Sequence, residues 1–210
     1  MNKMDKVREK ARGFFGNVHP AHDWKHVKRV EKIALNLTEK EGADKEIVQA
    51  SVLLHDIGRK KEDNGEIDDH AVWGAEKAEE ILKELDYNRE FIEKVQECIE
   101  CHRYSSGPEP ESLEAIVLSD ADNLDALGAT GIARTFSYGG EHGRVIADPD
   151  FPADEDPEKG GSNSLNHLQK KILSLKDRMY TDSGLELAEQ RHDFVEEFVE
   201  RFKDEMKGKK

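Results

Sequence analysis

A chain of 210 residues with a formal net charge of −14, 37% charged and 36% hydrophobic residues and a mean hydropathy of −0.82 is sized for one domain over residues 1–210. Its acidity repels a phosphate backbone and excludes duplex DNA or RNA as a principal partner, while small anions can still bind where a cation reverses the field locally. No apolar run approaches the roughly 18 to 20 residues that span a bilayer, and no signal stretch follows Met1, which predicts a cytoplasmic protein without a membrane partner.

Helical periodicity dominates and strand alternation is nearly absent, so the expected fold class is all-α. A short helix is predicted over Lys3 to Phe15. His19-Pro20-Ala21-His22-Asp23 then leads into a longer helix that ends near Gly42. Asp44 can cap the next, whose Ile47, Val48, Ala50, Val52, Leu53, Leu54 and Ile57 are apolar on nearly every side before Gly58 stops it, which makes it the central helix. Asp68 or Asp69 can cap a helix through Leu85, and Asn88 one that carries Phe91, Val95, Cys98 and His102 on a single stripe. A further helix is expected near Leu113 to Leu127. Between Gly139 and Asn163 the composition turns to Gly, Pro, Asp and Glu, which predicts a long loop, either a solvated insertion or an active-site wall. The last helix starts about Asp182, with Leu187, Phe194, Phe198 and Phe202 on its expected buried face. There is no internal repeat.

His55-Asp56 stands out among nine histidines because it ends the most hydrophobic helix, where a carboxylate costs several kcal/mol unless paired or metal-bound. His26 opens the preceding helix. Sixteen residues to Gly42, about 24 Å of helix, and eleven from Asp44 to His55, about 17 Å in return, bring the two imidazoles to about the same level of an antiparallel hairpin. Asp120, Asp122 and Asp125, at i, i+2 and i+5, cannot all point one way, so at least one is expected to face solvent or act as a cap. Asp122, set between Ala121 and Leu124, is chosen as a fourth ligand, with a capping role equally open from spacing.

In order and context, His26, His55-Asp56 and Asp122 resemble the HD-domain metal-dependent phosphohydrolases. The likeness rests on His22-Asp23-Trp24-Lys25-His26-Val27-Lys28-Arg29-Val30, Leu54-His55-Asp56-Ile57-Gly58-Arg59 and Asp120-Ala121-Asp122-Asn123-Leu124-Asp125. It extends to His102-Arg103-Tyr104-Ser105 and to Ala188, Arg191, Phe194, Phe198 and Glu205, so the chain is similar to the compact single-domain members. The resemblance implies an HD-like helical bundle with its core at about 22–127 and C-terminal helices over 164–210 packing on that core. It implies metal ligands His26, His55, Asp56 and Asp122, and a catalytic group of Asp56, His70 and His102, the two histidines serving a second ion in members that bind one. Capping or core roles compete for both. The His-Asp pairs at His22-Asp23 and His192-Asp193 lack the context; the first is expected to cap a helix and the second to lie on the surface.

Two imidazoles and two carboxylates without a thiolate suit Mn²⁺, Fe²⁺, Co²⁺ or Ni²⁺, with Mg²⁺ also compatible; one ion is expected and a second has candidate ligands. Such an ion polarises a phosphoryl oxygen and activates its water for attack at phosphorus, and no phosphate loop or nucleophile elbow suggests another route. The expected substrate is a small phosphate ester or anhydride, foremost a nucleotide, met by Arg59, Lys60, Lys61, Arg29 and Arg103, and more weakly by Lys171. A nucleotide-sensing regulator without efficient turnover and a di-iron redox enzyme on the same frame are the alternative readings. Cys98-Ile99-Glu100-Cys101-His102 has the spacing of c-type haem attachment, but Cys98 falls on the buried stripe and haem is not expected. Composition leaves the oligomeric state open.

Overall fold

The computed structural model describes residues 2–103, 107–148 and 163–209. Its described residues build ten α-helices and short 3-10 and π turns, with one isolated parallel bridge between Val145 and Asn163. The all-α expectation holds. No described helix is long and apolar enough to cross a membrane. The chain divides into two compact units, Met1–Asp122 and Asn123–Lys210.

In the first unit, α1 (Lys3–Arg12) opens on a capping box between Asn2 and Asp5 and runs into a 3-10 turn over Gly13–Phe15. The second helix, α2 (Trp24–Glu41), starts at the Asp23 cap and ends at Gly42, whose φ of 79° is the left-handed conformation that glycine adopts without a Cβ penalty. Capped by Asp44, α3 (Lys45–Leu54) returns antiparallel. It packs against α1, α2 and α6 (Arg89–Cys101), and every residue from Ser51 to Gly58 is buried, which makes it the core helix its composition requires.

The central helix was expected to reach Ile57, but it ends at Leu54. The chain turns there, with the Arg59 amide donating to the Asp56 carbonyl (3.0 Å), and continues as the short α4 (Arg59–Asp63). This turn passes beneath the start of α5 (His70–Glu84), which Asp69 caps. A Cβ on Gly58 would sit 2.7 Å from the His70 carbonyl oxygen, so glycine is required by the close approach of two backbones. From α5, the chain continues into α6, capped by Asn88, and into α7 (Leu113–Asp125), within which the unit ends at Asp122.

Arg8 on α1 grips Glu31 on α2 with two hydrogen bonds (2.7 and 2.5 Å), and Gln49 on α3 adds a third (2.8 Å). Burial raises the Glu31 carboxyl, but the bonds from Arg8 and Gln49 outweigh it and hold it below its ordinary value. The resulting stabilisation is present above the usual glutamate range and is lost as pH falls through the lowered folded value. Arg8 is 34% exposed, so Glu31→Gln is expected to cost only about 1–2 kcal/mol at pH 7. Urea titrations at pH 7 and at low pH check the sign: the gap between wild type and variant should narrow in acid.

The second unit corrects two expectations. Helix α8 (Gly128–Glu141) occupies a stretch that sequence reading left unassigned and takes in Gly139, the predicted start of the long loop. Its glycines lower helix propensity but allow close packing, because a Cβ at Gly131 would strike the Ala126 carbonyl and one at Gly139 the Ser164 hydroxyl. Of the predicted loop, residues 149–162 lie outside the described residues. Beyond it come α9 (Ser164–His167), a π turn over Leu168–Ile172 and a 3-10 turn over Leu173–Arg178.

The final helix, α10 (Asp182–Met206), begins as expected at Asp182 but buries Gly184, Ala188, Val195 and Val199. Phe194 is 49% exposed, and Phe198 and Phe202 are half-buried against Phe136 of α8. Two adjoining apolar stripes run along this helix, and the one with small and β-branched side chains allows the closer approach. Asp125 is paired with Arg134 (2.8 Å), and Arg191 donates to the Leu124 carbonyl.

Candidate metal centre

The centre lies within the first unit and is built from helix ends. Asp23 accepts from the amides of Lys25 (2.9 Å) and His26 (3.0 Å), which fixes His26 in the first turn of α2, fully buried. His55, the first residue beyond α3, donates from Nδ1 to the Val52 carbonyl (2.8 Å), so its Nε2 lone pair points inward. The two rings lie 5.5 Å apart, at one level of the α2/α3 hairpin. From α7, Asp122 brings Oδ1 to 3.4 Å from His26 Nε2.

Asp56 occupies the middle. Its Oδ2 is 3.2 Å from His22 Nδ1 and 3.6 Å from the Nε2 atoms of His26 and His55. Its Oδ1 is 3.3 Å from His70 Nε2 and 3.7 Å from His102 Nε2. Burial alone would raise this carboxyl, but His55, His102 and His22 hold it well below the usual range. Burial, opposed by Asp56 and reinforced by His102 and Arg59, lowers His70 to about 4. Burial also acts to lower His102, yet Asp56 and Asp122 raise it.

This donor set fits a divalent cation. Donors held about 2.1 Å from a shared ion lie roughly 3.0–3.4 Å from one another, close to the separations around His26, Asp56 and Asp122. The buried His55 Nε2 accepts no hydrogen bond, and a buried acceptor of that kind calls for an electrophile. Ligand atoms of His26, His55 and Asp122 share one space within 4.8 Å, as do those of His22, His26 and Asp56 and those of Asp56, His70 and His102. Two adjoining clusters therefore meet at Asp56.

Sequence reading missed two participants. His22, expected only to precede a helix cap, reaches Asp56 from the 3-10 turn Pro20–His22; its position one helical turn before His26 was the available signal. Glu62 accepts from His70 Nδ1 (2.9 Å), beside Asp69, one of the two expected caps of α5. Arg103 Nη1 joins these two carboxylates, 2.9 Å from Glu62 and 2.7 Å from Asp69.

The predicted phosphate contacts are dispersed. Arg59 lies beside Glu62 (3.3 Å) and His70 (3.4 Å), while Lys60 donates to the Gly16 carbonyl (2.7 Å). Lys61 pairs with Glu66 (2.8 Å) over the Trp73 ring. Arg29 is half-buried on α2, and Lys171 is exposed in the second unit. Of Asp120, Asp122 and Asp125, at least one of which was expected to face solvent or act as a cap, Asp120 and Asp125 are buried and Asp122 is half-buried, its side chain 29% exposed. Of the pair expected at the surface, Asp193 is 81% exposed, whereas the His192 side chain is only 12% exposed. Burial pushes the Cys98 and Cys101 thiols up to about 12 and about 11, which makes them poor nucleophiles.

The HD domain family matches residues 23–127, the span that carries His26, His55, Asp56 and Asp122. YpgQ of Bacillus subtilis is 32% identical over 99% of this chain and 96% of its own length. A crystal structure of an HD-superfamily hydrolase from Bacillus thuringiensis aligns with a TM-score of 0.77 at 36% identity, covering 98% of this chain and 97% of that one. The crystal structure of YpgQ in complex with ADP aligns at 0.77 and 30% identity, covering 97% and 94%. A Lactobacillus plantarum protein gives 0.81 at 28% identity, covering 98% and 97%. Motif, helical frame and full-length likeness agree, and the chain belongs to the HD-domain family.

Proposed function

We propose that the protein is a divalent-metal-dependent phosphohydrolase that cleaves a phosphate ester or anhydride of a small molecule, a nucleotide in the first instance. The observation that carries this reading is that ligand atoms of His26, His55 and Asp122 lie within 4.8 Å of one another, with Asp56 Oδ2 3.6 Å from the Nε2 atoms of both histidines and no thiolate among them. A divalent cation supplies Lewis-acid polarisation of a phosphoryl oxygen and lowers the pKa of water. Mn²⁺, Fe²⁺, Co²⁺ or Ni²⁺ suits the mixed nitrogen and oxygen donors.

In this reading His26, His55, Asp56 and Asp122 hold one cation, and Asp56, His70 and His102 hold a second. Asp56 orients both sides of the centre through its two oxygens. Arg59 and Arg103 place two guanidinium groups at the His70 edge, where they complement a substrate phosphate in an otherwise acidic chain; Lys60 and Arg29 extend that role. ADP bound to YpgQ supports a nucleotide.

Protein stripped with a chelator and reloaded with Mn²⁺, Co²⁺ or Ni²⁺ is expected to release phosphate or pyrophosphate from at least one member of a nucleotide panel, and the stripped protein none. Tight nucleotide binding without release under every cation would instead identify a sensor.

A further inference from the structure

His70 meets the site through Nε2, where Asp56 Oδ1 at 3.3 Å is an acceptor that favours a proton, so the groups on its outer nitrogen must oppose that preference if Nε2 is to carry a lone pair. Two groups compete for Nδ1. Arg59 Nη1, a donor, stands 3.4 Å away and favours a bare Nδ1 with the proton on Nε2. Glu62 Oε2, an acceptor, stands 2.9 Å away and favours a proton on Nδ1. A contact of 3.4 Å is at the weak end of hydrogen bonding, while one of 2.9 Å to a carboxylate is charge-assisted. Glu62 wins that competition.

On the opposite side, His102 Nδ1 donates to the Ile99 carbonyl (2.5 Å), so its Nε2 is bare whenever the ring is neutral. With both outer nitrogens protonated, two Nε2 atoms face each other at 3.3 Å beside Asp56 Oδ1. Neutral rings in that arrangement present lone pair to lone pair, which suits a shared electrophile.

Glu62 is itself held. Its Oε1 accepts from Arg103 Nη1 (2.9 Å), and the same guanidinium binds Asp69 (2.7 Å), the residue that caps α5 at His70. Arg103 follows α6, so one side chain ties the ends of α4, α5 and α6 around the His70 ring. The geometry points to Glu62 as a positioning residue, which fixes His70 in the Nδ1–H form with Nε2 open to a cation, and to Arg103 as the clamp that keeps Glu62 in place. The inference rests on the cation-binding reading above and adds to it how the His70 side is set up.

A carboxamide separates this role from simple packing. Glu62 offers its oxygens to His70 Nδ1 and Arg103 Nη1 at 2.9 Å each and, at the weak end, to Arg59 Nη1 (3.3 Å) and the His70 amide (3.4 Å), whereas Gln offers one acceptor and one donor of the same size, so Glu62→Gln must fail one of the two close partners, His70 or Arg103. In metal-free, ¹⁵N-histidine-labelled full-length protein, nitrogen chemical shifts are expected to show His70 protonated on Nδ1 in the wild type and on Nε2 in Glu62→Gln. In a Co²⁺ titration followed by visible absorption, Glu62→Gln should weaken the second equivalent by about 10–100-fold and leave the first unchanged.

Adding Arg103→Ala to Glu62→Gln removes the closer of the competing donors, Arg59 being 3.3 Å away, and frees the amide oxygen to accept from His70, so it should recover much of the loss. Two purely structural lesions would instead accumulate. A wild-type tautomer and both Co²⁺ equivalents retained in Glu62→Gln would overturn the assignment, as would additive losses in the double variant. Uptake of one Co²⁺ by the wild type would refute the second cation, while the metal-free tautomer would still decide the role of Glu62.

Discussion

The double substitution His55→Ala with Asp56→Ala is expected to lower nucleotide hydrolysis by the cation-loaded protein by about 10³-fold or more, with helical content unchanged. Asp56 touches both clusters, through Oδ2 toward His22, His26 and His55 and through Oδ1 toward His70 and His102. In the proposed reading, its removal with His55 would take two ligands from one cation and the carboxylate from the other. Loss of several kcal/mol of transition-state stabilisation corresponds to that fall in rate, at 1.36 kcal/mol for each factor of ten. Helicity should persist because α3 ends at Leu54 and neither residue is needed to complete it. Phosphate release, elemental analysis and circular dichroism together check the outcome. Full activity in the double variant would move the reaction to another site.

Leu53→Ala is expected to lower stability by about 3 kcal/mol, within the range of 2–5 for truncating a buried leucine. Leu53 is 0% exposed on the helix that packs against α1, α2 and α6, so neighbours on several sides limit collapse into the cavity. For a chain of this length each kcal/mol corresponds to roughly 2–4 °C, so the transition should fall by about 6–12 °C. Calorimetry belongs on chelator-treated protein, because a bound cation would raise the midpoint by mass action. A shift of a degree or less would show that the α3 core relaxes around the missing atoms.

Helix starts were the most legible feature of the chain. Asp23, Asp44, Asp69 and Asn88 each sit one residue before a helix and accept from its first free amides, a local requirement that leaves a local mark. The level placement of His26 and His55 was also readable, since the rise per residue of two helices joined by a short turn determines it. Side-chain direction was less legible. On α10, the stripe with Ala188, Val195 and Val199 is buried while Phe194 is exposed, a choice between two apolar faces that depends on what lies opposite. Helix α8 escaped notice because its glycines read as breakers when their neighbours are unknown.

The sequence by itself determined an all-α chain, the polar cluster at the end of its most apolar helix and the order of histidine and aspartate that marks the HD family, because caps, periodicity and motif spacing are properties of adjacent residues. Only the tertiary structure decided that His22 joins Asp56 and that Glu62 and Arg103 stand beside His70. Those contacts join residues from 34 to 41 positions apart, or, for His70 and Glu62, across a turn between two helices. No local spacing encodes them; the packing of one helix end against another does.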